Sequence, residues 1–150
     1  MKRQMWMILL LVFAWIVSGC GGNSLAAGPD VTAEPDSVQD KTALVDSLQN
    51  AGATVEEGDP LSQPFFTPEG SILKVNGADI QVFEYESMES MEEEACQVMP
   101  DGGSIGRSMI AWMDTPHFYK AGRIIVLYVG SDEAVLGLLE KVLGPQFAGR

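Results

Sequence analysis

The stretch from Arg123 to Val129 reads Arg-Ile-Ile-Val-Leu-Tyr-Val, apolar or aromatic at every position after the arginine. A run so continuous and so rich in β-branched residues predicts a strand at the centre of a sheet rather than at its rim. The clearest local signal lies upstream: Ile72 to Val75, then Asn76-Gly77, then Asp79 to Tyr85. Asn-Gly accepts the positive φ angles of a type I′ turn, so two strand-like runs on either side of it predict a β-hairpin. Met109 to Met113 reads as another strand, a short one is expected over Thr54 to Glu57, and Lys120-Ala121-Gly122 forms a turn before the central strand. Three segments have helical period. Leu44, Val45, Leu48 and Ala51 follow Asp40 as a cap and end at Gly52; Ser87 to Met99 carries Met88, Met91, Ala95 and Val98 on one stripe; Ser131 caps a last helix that stops at Gly144-Pro145. The order of elements predicts an α+β fold: an antiparallel β-sheet of about four to five strands with about three helices packed on one face.

The first residues stand apart from that domain. Lys2 and Arg3 give a positive start, and Met5 to Val17 is an uncharged apolar run of 13 residues. A membrane-spanning helix needs about 20 such residues, so the run fits the core of an export signal better than a permanent span. Val17, Ser18, Gly19 and Cys20 resemble the lipobox of bacterial lipoproteins, an aliphatic and two small residues before a cysteine. The resemblance implies cleavage between Gly19 and Cys20, with diacylglycerol on the Cys20 thiol. The stretch to Asp40 is rich in Gly, Pro, Ala and acidic residues without apolar period, and reads as a disordered tether. Its expected root-mean-square reach is roughly 25 Å. The expected organisation is a cleaved signal over 1–19, a lipidated cysteine and tether over 20–40, and one domain over 41–150. Gly21 is not the aspartate that retains lipoproteins in an inner membrane. The chain is therefore expected on the outer face of a monoderm's membrane, or in the outer membrane of a diderm.

Charge narrows the partners. The chain carries −12; without Lys2 and Arg3, 7 basic side chains face 21 acidic ones, which leaves −14 after the signal. That field disfavours nucleic acid and anionic headgroups and keeps a domain soluble. The two cysteines are Cys20 and Cys96, and a lipidated Cys20 cannot pair with the other. Cys96 sits among glutamates, which disfavour a thiolate, and is expected to be a half-buried, inert thiol.

Asn76-Gly77 with Gln81 to Tyr85, Pro116 to Gly130, and Leu143 to Gly149 resemble a group of small, uncharacterised bacterial lipoproteins over roughly residues 42 to 149. The resemblance carries no activity with it.

Gly102, Ser104 and Gly106 match the Gly-x-Ser-x-Gly of a nucleophile elbow, with Asp114 and His117 following in hydrolase order. An elbow needs a strand before the serine and a helix after it, and the elements here come in the opposite order. His117 is the sole histidine, with no second histidine or cysteine beside it to hold a transition metal. Glu92 to Glu94 point in different directions around a helix and read as a solvated face. Phe65, Phe66, Trp112, Phe118 and Tyr119 read as core, or alternatively as an exposed docking patch. The expectation is a membrane-anchored, palmitate-bearing lipoprotein of the cell envelope, acting without catalysis or cofactor as a binding or assembly module. Its partners would be membrane lipid through Cys20 and an envelope protein or small ligand. The alternative is a tethered serine hydrolase using Ser104 and His117.

Overall fold

A computed structural model describes residues 38–150, so the apolar run Met5–Val17, Cys20 and most of the expected tether lie outside the described residues. The chain enters the fold before residue 41: Val38 is fully buried and the Gln39 carbonyl accepts a hydrogen bond from the Arg123 amide at 3.0 Å. Asp40 then caps helix α1 (Lys41–Asn50), its carboxylate accepting from the Ala43 amide at 2.9 Å.

Strand β1 (Val55–Leu61) leads to the hairpin of β2 (Gly70–Val75) and β3 (Ala78–Glu84). The Asn76-Gly77 turn has φ +52° and +88°, the left-handed pair that a type I′ turn requires. β1 runs past the Glu57 at which a short strand was expected to end, through Gly58, Asp59 and Pro60, and its pairing with β2 shifts register between Glu57 and Pro60. Pro60 is tolerated because β1 is an edge strand with no neighbour on its far side among the described residues. Helix α2 (Met88–Ala95) starts from a capping box between Ser87 and Ser90. It stops short of the expected Met99 because Val98 bridges Ile105 and the Met99 amide bonds the Ser104 carbonyl. That turns the chain into the small hairpin of β4 (Ser104–Ile105) and β5 (Ser108–Met109).

Of the strand expected over Met109–Met113, only Met109 is in a ladder. The alternation is real all the same, since Ile110 and Trp112 turn inward while Met109 and Met113 are fully exposed. Strand β6 (Pro116–Ala121) pairs along its whole length with β7 (Ile124–Val129). Lys120 and Ala121 are therefore strand residues, and Gly122-Arg123 is the turn, with Gly122 at φ +51°. A Cβ at Gly122 would sit on the backbone of Gln39, so this turn and the entering chain fit only around glycine. Helix α3 (Glu133–Leu143) is capped by Asp132 rather than Ser131: its carboxylate accepts from the Ala134 amide at 2.8 Å. The two-residue strand β8 (Ala148–Gly149) closes the chain on β6.

The main sheet has six antiparallel strands in the order β1-β2-β3-β7-β6-β8, one more than the four to five expected. β7 lies inside it, buried at every position but the last. Ile124, Val126 and Tyr128 pack with α1 and α3; Ile125 and Leu127 point the other way, against Met91 and Ala95 of α2 and Ile105 of the small hairpin. The helices thus divide between the two faces, which corrects the expectation that all three share one. A strand apolar on both faces needs cover on both, and two helices with a third helix and a hairpin supply it.

Candidate functional site

At the Pro116 end of β6, the loop after α2 and the segment before β6 wall a cleft of about 380 Å³. Its apolar wall is Trp112, half-buried, with its indole N–H donating to the Gly102 carbonyl at 2.7 Å. Phe65 and Phe118 meet the ring edge-on at 5.9 Å each, so the indole is held in one orientation from three sides. Its polar wall carries Asp101, Asp114, Thr115 and Arg150. Each aspartate spends one oxygen locally, Asp101 on the Gly103 amide at 2.9 Å and Asp114 on the Thr115 amide at 2.7 Å. Those bonds orient the carboxylates. Arg150 stands 3.9 Å from the second oxygen of Asp101, a loose and mostly exposed ion pair. Asp101 and Arg150 carried no sequence signal, because the loop and chain end that bring them to Trp112 have no periodicity.

The five aromatic residues do not form an exposed patch. Phe66, Phe118 and Tyr119 are buried, leaving only Phe65 and Trp112 half-exposed. Tyr119 also lies across the sheet from the other four, packed with α3. What they build is an aromatic core layer whose outermost ring, Trp112, reaches the cleft.

Ser104 and His117 are not brought together. Ser104 belongs to the hairpin over the α2 face, whereas the buried His117 ring stacks on Tyr128 on the α3 side. Both imidazole nitrogens are engaged, Nδ1 with the Gln146 side-chain oxygen at 2.7 Å and Nε2 with the Gly130 carbonyl at 3.1 Å. His117 thereby pins the segment before β8 to the end of β7. Asp114 lines the cleft and His117 a separate 280 Å³ cavity with Tyr119 and Glu140.

Glu92 and Glu94 do more than face solvent. Glu92 pairs with Lys120, while Glu94 accepts from the Tyr85 hydroxyl at 2.8 Å and from the Thr67 amide at 3.0 Å, tying α2 to the segment after β1. A cavity of about 470 Å³ beside it is lined by Glu84, Glu86, Glu93 and Glu94. Among the described residues no group of three or more histidine, cysteine or carboxylate side chains is placed to hold a metal ion.

Burial, then the hydrogen bond and charge of Glu94, raise the Tyr85 hydroxyl well above the ordinary tyrosine range; burial and the Glu140 carboxylate raise Tyr119. A raised pKa means the folded state holds the proton more tightly than the unfolded one. The stability these groups contribute is complete below about pH 10 and drains away as pH rises further. An ultraviolet titration of phenolate, with Tyr85→Phe and Tyr119→Phe variants to assign the steps, should show Tyr85 ionising only as the protein unfolds in alkali and Tyr119 ionising above the ordinary tyrosine range. Ionisation of Tyr85 near pH 10 in the folded protein would contradict this.

Cys96 is exposed at the C-terminal cap of α2, which corrects the half-buried thiol expected from its neighbours. In the folded protein it should react with a maleimide about as fast as in urea, because no side chain must move to admit the reagent. A rate several-fold slower in the native state would place the thiol inside. No helix among the described residues is long and apolar enough to cross a membrane. No protein-family model, no curated protein and no solved structure matches this chain.

Proposed function

We propose that the chain is the precursor of a lipid-anchored protein of the cell envelope, exported by residues 1–19 and held on a membrane through Cys20, which acts without catalysis as a binding module. The Trp112 cleft is its binding face. One observation carries this assignment: the chain enters the fold and opens the cleft at opposite ends of the β6–β7 hairpin. Gln39 meets the Gly122-Arg123 turn, whereas Thr115 and Pro116 line the cleft at the far end. Six strand residues separate the two, roughly 20 Å of sheet. A tether running from Cys20 to Val38 therefore joins the domain on the side away from the cleft, leaving the cleft free to meet what lies beyond the membrane.

Binding is favoured over serine hydrolysis because the sheet stands between Ser104 and His117 and both ring nitrogens of the histidine are already engaged. A net charge of −14 beyond the signal argues for a neutral or protein partner over nucleic acid. Mass spectrometry of the N-terminal peptide from membranes tests the anchor. The expected peptide begins at Cys20 and carries diacylglycerol. A peptide retaining Met1 to Gly19, or an unmodified Cys20, would overturn it.

A further inference from the structure

We propose that the Trp112 cleft takes a neutral saccharide of one or two rings, an inference that rests on reading this cleft as the binding face. The cleft holds three kinds of group, and each limits the ligand. Trp112 lines the cleft half-buried, with its N–H already bonded to the Gly102 carbonyl, so its indole can add apolar ring contact there and no hydrogen bond. That suits the C–H face of a sugar ring. Asp101 and Asp114 present acceptor oxygens oriented by their bonds to Gly103 and Thr115. Arg150, 71% exposed and only loosely paired, presents donors.

A ligand that satisfies both walls must donate and accept at neighbouring positions, as a hydroxyl does with its one hydrogen and two lone pairs. Charged ligands fit worse. An anion meets two carboxylates and a chain of −14 beyond the signal; a cation is drawn by that field but meets the Arg150 guanidinium and must give up its own hydration to enter. Neutral hydroxyls can instead lie between carboxylate and guanidinium without desolvating a charge of their own. At about 380 Å³ the cleft falls near the lower end of the roughly 300–1,000 Å³ range of small-ligand sites, which limits the occupant to one or two rings. The aromatic wall is already fixed by Phe65 and Phe118, so little ordering cost falls on binding.

The test is calorimetry on the full chain purified from membranes in a polyoxyethylene detergent, which carries no sugar headgroup. Maltose, cellobiose and diacetylchitobiose are titrated to about 50 mM, with putrescine and citrate as the cationic and anionic comparisons. At least one sugar should bind saturably, with a Kd on the order of millimolar for so open a site, and with little change in added salt. Asp114→Asn removes a charged acceptor at an exposed position and should weaken that binding about ten-fold or more. Trp112→Phe keeps an aromatic ring but loses the bond to Gly102, and should weaken it as well. Circular dichroism checks that both variants fold. No saturable heat with any sugar, or sugar binding unchanged in both variants, would overturn the proposal. If putrescine or citrate bound and no sugar did, the cleft would remain a binding site and the saccharide would be wrong. The anchor is judged separately, by the N-terminal peptide.

Discussion

Leu127→Ala is expected to destabilise the domain by about 2–5 kcal/mol, since it deletes a side chain with no exposed surface at the centre of the sheet. Leu127 sits on β7 between β3 and β6, facing the α2 layer, and both neighbouring strands are held in ladders that cannot collapse into the space left behind. A domain of this size typically has about 5–15 kcal/mol in total, so the loss removes a large part of it. The midpoint of thermal unfolding should fall by roughly 10–25 °C. Met113→Ala, an apolar truncation at a fully exposed position, should change stability by less than about 0.5 kcal/mol. Scanning calorimetry of the two variants beside the parent protein decides the matter. Equal midpoints for Leu127→Ala and Met113→Ala would mean that β7 is not at the centre of the core.

The second large effect is expected at Cys20. If a diacylglyceryl thioether forms there, Cys20→Ala removes the only attachment atom and the chain should take up no labelled palmitate at all. One acyl chain binds a bilayer only marginally and two hold it firmly, so the change is from stable anchoring to none through this route. The uncharged run Met5 to Val17 would remain, because the signal peptidase specific for lipoproteins acts on the lipidated precursor. The variant should consequently migrate as a longer species still bound by its apolar segment. Labelled palmitate in Cys20→Ala, or normal cleavage of that variant, would show that the Val17-Ser18-Gly19-Cys20 boundary is not the attachment site.

How much of this could be read from residue order follows from how local each signal is. The Asn76-Gly77 hairpin and the capped start of α1 at Asp40 depend on neighbours in sequence, and both are found where expected. The placement of β7 inside the sheet followed from a run with no polar side. β6 was missed because Pro116, His117 and Lys120 interrupt any simple pattern; His117 is tolerated inside only by its bonds to Gln146 and Gly130, which come from distant parts of the chain. The split of the helices was illegible for a related reason. α2 carries an apolar stripe like the other two, and nothing within its eight residues says which face of a sheet it will meet. The cleft was half legible. Trp112 stood out as an aromatic residue, but Asp101 and Arg150 join it only through the tertiary path of two irregular segments.

The rim of the sheet has a consequence for a protein held on a surface. The proposed anchor at Cys20 would confine copies to a thin layer, where encounters between identical sheet edges are far more frequent than in free solution. β1, the strand with an open side, carries Glu56, Glu57 and Asp59, breaks its register between Glu57 and Pro60, and offers no N–H at Pro60. Like charges would face each other across any pairing of two such edges, and the shifted backbone could not form a continuous ladder. The opposite edge is shortened by β8, which covers His117 and Phe118. Copies crowded side by side on a membrane would therefore slide past one another as separate molecules rather than zip into fibres.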